Sequence, residues 1–309
     1  MPRPALIVTL DEPDSERPQE ITQFLKPLSP NKAYPADVIT AARHPALVVS
    51  LLLALASCST QPGDPIPEHT ILMLKSTAVG EERRISVYTP KGYNEDPTAR
   101  FPVLYMPDGG IGEDFPHIVA TIEALIEVRT IPPMLVVGIE NTQRRRDLTG
   151  PTRVADDLKI APEVGGSAQF RTFIRDELIP EIERRYRCNA QRAIVGESLA
   201  GLFVIETMLL EPKLFDRYIA VSPSLWWNNH SLVRAAKDYL VDTIGHKMRL
   251  FLTNANEKGI APHAAELARI IKENAPSTFR LVYEPHPEEE HHTIFRAAKK
   301  AAFSSALSR

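Results

Sequence analysis

The sequence predicts an α/β fold, with a mainly parallel central sheet and helices on both of its faces. From residue 70 onward, short apolar runs alternate with helix-spaced segments about five times over. Several of those runs have no polar side, as expected of strands buried on both faces. No internal repeat or low-complexity tract competes with this reading.

The elements follow in order. Thr70–Lys75 and Arg84–Thr89 alternate in character and predict an antiparallel strand pair turned at Gly80. Pro90-Lys-Gly-Tyr-Asn opens a loop. Val103–Met106 is a short continuous apolar run, hence a buried strand, and Met134–Ile139 is another. Ile118–Arg129 lies between them with helical spacing. Phe170–Arg187 carries Phe170, Phe173, Ile174, Leu178 and Ile182 on one helical stripe, and Pro180 inside it predicts a kink. Strands at Ala193–Val195, Tyr218–Val221, Arg249–Thr253 and Phe279–Tyr283 then alternate with helices at Leu199–Leu210, Ser231–Asp242, Pro262–Asn274 and Thr293–Leu307. Pro262 suits the first turn of its helix. In open sheets of this kind the active site lies at the carboxyl ends of the strands.

Composition narrows the function classes. Of 309 residues, 43% are apolar and 24% charged, which excludes a disordered chain, a collagen and a coiled-coil rod. A formal net charge of −3 gives no electrostatic reason to expect nucleic acid as a partner. Proline is unevenly placed: 11 of the 27 fall within residues 1–67, and the first glycine is Gly63.

That asymmetry separates the amino-terminal segment from the rest. Prolines at 2, 4, 13, 18, 27, 30 and 35 interrupt every helix or strand residues 1–37 might form, and this stretch is expected to be untranslated or disordered, with initiation near Val38. Pro45–Ser57 is a charge-free run of 13 residues, preceded by Arg43 and His44. It is too short to span a bilayer comfortably and fits a secretory signal core, so residues 38–57 are read as a signal peptide. Leu55-Ala56-Ser57-Cys58 resembles a bacterial lipobox, which makes Cys58 the expected lipidation site. Ser59 follows it, in place of the Asp that resembles an inner-membrane retention signal. The expected location is therefore the envelope, with an outer-membrane or periplasmic anchor favoured. Residues 58–69 read as a tether and 70–309 as one catalytic domain. With Cys58 lipidated, Cys188 has no intrachain partner and no disulfide framework is implied.

The chemistry centres on Gly196-Glu197-Ser198-Leu199-Ala200-Gly201, which stands between a strand and a helix. A strand–turn–helix junction with serine at its apex is the geometry of a nucleophile elbow, where small neighbours relieve a crowded backbone. A serine hydroxyl needs an imidazole to take its proton, and a carboxylate to orient the imidazole. His286, His291 and His292 follow the last strand and are the candidate bases. Glu257 is the first carboxylate after Arg249–Thr253 and the candidate acid; Asp242, at a helix end, is a poorer one. An oxyanion hole needs two N–H donors. The backbone of Leu199 is one, and Gly110, in the glycine-rich loop Asp108–Gly112, is the other. Arg144–Arg146 follow a strand at the same edge as an anion clamp, with Arg146 taken as the substrate-binding residue. Trp226 and Trp227 are candidates for an aromatic pocket wall. A metal site on His286, His291 and His292 lacks ligand spacing, so no metal or organic cofactor is expected.

Several stretches together resemble one family: Val103-Leu-Tyr-Met-Pro-Asp-Gly-Gly, Pro133-Met-Leu-Val-Val-Gly-Ile-Glu-Asn, Arg146-Asp-Leu-Thr, Glu177-Leu-Ile-Pro-Glu-Ile-Glu, Gly196-Glu-Ser-Leu-Ala-Gly-Leu-Phe and Ser222-Pro-Ser-Leu-Trp-Trp. They resemble the putative-esterase group of α/β-hydrolases, which includes siderophore (enterobactin-type) esterases, S-formylglutathione hydrolase and feruloyl esterases, and most of all its siderophore-esterase-like branch. The resemblance covers roughly residues 70–300. It implies the α/β-hydrolase fold. The family's His-x-Ser/Thr-Val/Ile context, matched here by His291-His-Thr293-Ile294, selects His291 as base. Two positions depart from the family pattern: Glu197 stands where histidine is frequent, and Ala200 where glycine is usual.

The sequence thus predicts a lipid-anchored serine hydrolase cleaving carboxylic esters through an acyl-enzyme, its partners a small-molecule ester, of siderophore type under the resemblance, and the membrane. Its alternatives are an acyltransferase using the same triad, a non-catalytic ligand-binding lipoprotein, and a metal-dependent hydrolase.

Overall fold

A computed structural model describes residues 64–243 and 245–308. The signal, the lipidation site Cys58 and residues 59–63 of the tether expected above lie outside the described residues. Gln61–Arg309 makes one compact unit.

Eight strands form one sheet in the order β1-β2-β4-β3-β5-β6-β7-β8. They are β1 (Thr70–Lys75), β2 (Glu82–Tyr88), β3 (Phe101–Pro107), β4 (Leu135–Ile139), β5 (Cys188–Glu197), β6 (Arg217–Val221), β7 (Met248–Thr253) and β8 (Phe279–Tyr283). β1 runs antiparallel to β2, and β2 to β4; all the remaining pairs are parallel. The mainly parallel sheet predicted from the alternation is therefore present, with the antiparallel pair at its start turned at Gly80, whose φ is +70°. β3, β4 and residues Ala193–Gly196 of β5 are apolar without alternation because helices cover both faces.

The helices are α1 (Phe115–Glu127), α2 (Arg144–Asp147, a single turn), α3 (Ser167–Thr172), α4 (Ile179–Arg185), α5 (Leu199–Leu210), α6 (Trp227–Tyr239), α7 (Ala261–Asn274) and α8 (Ile294–Leu307). α1 and α8 pack on one face against Val195, Ile219, Val221 and Phe251. α3 to α7 pack on the other, against Tyr105, Ile194, Tyr218 and Leu250. α5 is apolar nearly all round, since it lies between the sheet and its neighbouring helices. α8 is held at its far end as well: Arg217 Nη1 donates to the carbonyls of Ala306 and Ser308 at 2.6 and 2.8 Å, and Arg249 Nη1 to that of Ser308 at 2.8 Å. Cations at a helix carboxyl end also oppose its dipole.

Three local features differ from the sequence reading. The kink expected at Pro180 takes the form of a π-helical segment, Phe173–Leu178, between α3 and α4. It precedes the residue that has no N–H to give, so the ladder widens where it must lose a rung. α6 begins four residues before Ser231, but Asn228, Asn229 and His230 have φ of 47°, 50° and 53°; the regular right-handed helix starts at Ser231. α2 is too short to show any periodicity.

Candidate active site

β5 ends one residue before Ser198, and α5 begins one residue after it. Ser198 sits at φ 58°, ψ −118°, a conformation that costs a non-glycine residue roughly 1–3 kcal/mol. Its own neighbours impose that turn. The Ser198 N–H still follows the sheet, donating to the Val221 carbonyl at 3.0 Å, and one residue later the chain is helical. A Cβ on Gly196 would stand 2.5 Å from the carbonyl carbon of Ala200, and one on Gly201 would stand 3.0 Å from the Val221 oxygen. The two glycines let α5 start directly against the sheet, and Ala200 fills the space that Gly196 leaves. No side-chain hydrogen bond caps α5, so the Leu199 amide is one of the donors a helix start leaves without an intrahelical partner.

Two loops bring side chains to the serine. The loop after β8 places His291 Nε2 at 3.1 Å from Ser198 Oγ. The loop after β7 places Glu257 Oε1 at 2.7 Å from His291 Nδ1. A carboxylate only accepts, so Nδ1 carries the proton and Nε2 is left as acceptor for the serine O–H. The loops are fastened to each other. Thr253 Oγ1 donates to the Glu284 carbonyl at 2.6 Å, the His286 N–H to the Asn254 carbonyl at 2.9 Å, and the Asn256 N–H to the Glu289 carbonyl at 3.1 Å. Tyr283 Oη adds a bond to Asn254 Oδ1 at 2.8 Å. Of the other two histidines, His292 is exposed beside Glu290, and His286 pairs with Glu284 and Glu288. Among the described residues, no group of three or more His, Cys, Asp or Glu side chains is arranged to hold a metal ion.

The loop after β3 builds the other wall. Gly109 lies directly on Gly138 of β4, and a Cβ on either would collide with the backbone of the other. Asp108, at φ 56°, accepts from Nε and Nη2 of Arg144, each at 2.7 Å, and from the Asn141 side-chain amide at 2.6 Å. Glu113 folds back over the same loop and accepts from the Gly110 N–H at 2.7 Å and from Asn141 Nδ2 at 2.8 Å. Burial pushes the Glu113 carboxyl above its ordinary range, against the pull of those bonds. The Gly110 amide is thus already donating.

The remaining candidates are placed as follows. Arg146 is tied to Glu81 at 2.8 Å and to Asp147 at 2.7 Å. Asp147 in turn holds the buried Arg83, whose guanidinium lies over Phe170 and Phe173. Trp227 is buried and donates from Nε1 to the Gly150 carbonyl at 2.8 Å. Trp226 is partly exposed and meets Trp227 edge to face. The structure does not bring Arg146 into the set of polar contacts around Ser198. A residue the sequence reading missed is Ser224, whose Oγ is 3.3 Å from Ser198 Oγ and whose N–H donates to the Ser198 carbonyl at 3.0 Å. The signal for it was available: Ser222-Pro-Ser224 follows β6 at the same sheet edge.

The strand order, the serine turn and the two loops that converge on it define an α/β-hydrolase fold. The chain belongs to the esterase family described as "Putative esterase", which matches residues 76–293. Its relatives include the ferri-bacillibactin esterase BesA of Bacillus subtilis (strain 168), 30% identical over 239 residues that cover 71% of this chain and 77% of the relative. Among solved structures it is similar to the IroE-like serine hydrolase from Shewanella oneidensis, with a TM-score of 0.70 and 27% identity over 77% of this chain and 79% of that one. The BES protein from Bacillus cereus shares the fold, with a TM-score of 0.71 over 79% of this chain and 97% of that one at 22% identity.

Proposed function

We propose that the protein is a serine carboxylic-ester hydrolase that works through an acyl-enzyme. The observation that supports this most is the unbroken line of contacts from Ser198 Oγ to His291 Nε2 and from His291 Nδ1 to Glu257. In this reading His291 takes the proton of Ser198 as Oγ attacks the ester carbonyl. Glu257 keeps the imidazole in the tautomer that can accept it and offsets the charge of the imidazolium. The Leu199 amide receives the oxyanion. The Gly110 amide joins it once Glu113 gives way, since the two acceptors compete for one N–H. The imidazolium then protonates the departing alcohol, and water, deprotonated by the same His291, releases the acid.

The substrate proposed is a siderophore-type ester, because a relative matched over 77% of its length is a ferri-bacillibactin esterase. Ser198→Ala should abolish hydrolysis of p-nitrophenyl esters, by about 10³-fold or more, with an unchanged melting temperature. Retained turnover would remove Ser198 from the mechanism. A panel that includes a trilactone siderophore tests the substrate: turnover of short aliphatic esters with none of the trilactone would count against it. Attachment to the membrane through Cys58 is part of the proposal, and intact-mass measurement of the native protein tests it.

A further inference from the structure

Glu197 has no part in the mechanism above, yet it is the residue next to the nucleophile. It ends β5 in register with Val221, on the strand face whose earlier members, Ala193 and Val195, lie in the core beneath α1 and α8. Its Oε1 is buried and meets no hydrogen-bond donor. The charged groups acting on it come from three directions. Asp108 and Asp114 stand in the β3–α1 connection, Glu257 in the loop after β7, and Arg144 in α2. Arg144 is the one cation of that set, and its Nε–Nη2 edge is given to Asp108. Asp114 accepts from His117 of α1 at 3.1 Å, and Lys299 of α8 reaches His117 rather than Glu197.

An ionised carboxylate in that position would be partly buried, undonated at one oxygen and faced by three other carboxylates. A neutral carboxylic acid avoids all three penalties. Burial first, and then Asp114 and Asp108, push its pKa up to about 8.

We propose that Glu197 works as a neutral carboxylic acid beside Ser198, and that its ionisation shuts down ester turnover at alkaline pH. It is a positioning residue that acts through the electrostatics of the nucleophile. Attack by Ser198 builds negative charge on the substrate oxygen, and a second negative charge one residue from the nucleophile opposes it. The proposal rests on the serine mechanism set out above.

The test is kcat/KM for a p-nitrophenyl ester between pH 6 and 9.5, for the wild type and for Glu197→Gln. Glutamine has the shape of the neutral acid and cannot ionise. The wild type should lose about ten-fold between pH 7 and 9, while Glu197→Gln should hold its plateau across that range. Glu197→Met keeps the volume without a polar group and should also lack the alkaline limb, at a lower plateau. The same alkaline fall in all three proteins would overturn the proposal, as would a folded Glu197→Gln protein that is inactive at every pH. Turnover that survives Ser198→Ala, by contrast, would sink the serine mechanism, and this inference with it.

Discussion

The Asn256 amide donates to the Glu289 carbonyl at 3.1 Å, and this backbone bond helps to join the loop of the proposed acid to the loop of the proposed base. Glu257 is the next residue after one partner, and His291 lies two residues after the other. The imidazole is therefore set from its own loop and from the neighbouring one. Glu257→Gln should leave that scaffold in place while removing the negative charge that holds the Nδ1 proton. The expected result is a loss of about 10²- to 10⁴-fold in kcat with KM little changed and a near-native melting curve. Steady-state kinetics beside circular dichroism check it.

The serine turn makes a sharper demand on Gly196 than on Ala200. Gly196→Ala would place a methyl 2.5 Å from the Ala200 carbonyl carbon, which is backbone and cannot swing aside. It should destabilise the fold by about 2 kcal/mol or more and displace Ser198. Ala200→Gly, which restores the more usual family spelling, should cost only about 1 kcal/mol of helix stability and keep turnover. Chemical denaturation of the two variants separates these outcomes.

Arg146 spends its charge inside the molecule. With Glu81, Asp147 and Arg83 it forms a network whose inner pair is almost wholly buried. Arg146→Gln should lower the melting temperature by several degrees, equivalent to about 1–2 kcal/mol, while KM for anionic and neutral esters stays within about two-fold of the wild type. A selective rise in KM for anionic esters would return Arg146 to the substrate site.

Glu197 also links stability to pH. Its pKa is raised in the folded protein, so its contribution is intact below the ordinary glutamate range and is lost as pH climbs toward about 8. Wild type and Glu197→Gln should melt together near pH 4. The variant should then gain steadily, reaching an advantage on the order of 4 kcal/mol at pH 8. Melting curves at one-unit pH intervals would show it, and a constant offset at every pH would refute it.

Much of this was legible in the sequence because it is local. β8 and α5 have the bounds that periodicity assigned, and Gly196–Gly201 announces a strand–serine–helix junction in six residues. Glu257 and the three histidines after β8 followed from counting strands, since the carboxyl ends of a parallel sheet share one edge, and the family resemblance singled out His291 among them. What stayed hidden depends on partners far along the chain or on backbone conformation. Arg146 reads as a free cation until Glu81, 65 residues earlier, is folded against it. Gly110 reads as an open donor until the chain turns tightly enough for Glu113 to reach back. The left-handed run Asn228–His230 precedes the helix that spacing begins at Ser231 and leaves no periodic signal, and the π-helical segment before Pro180 replaces a simple bend.

The grip of Arg217 and Arg249 on the last carbonyls of α8 has a practical side. The same helix begins three residues after His291, so it behaves as a lever with the base near one tip and two arginines clamping the other. Trimming Ala306–Ser308 would take away the carbonyls that the two arginines hold, and a bulky carboxyl-terminal tag would crowd the same clamp. Expression vectors that leave Ala306–Ser308 unencumbered are the ones to use when turnover is to be measured.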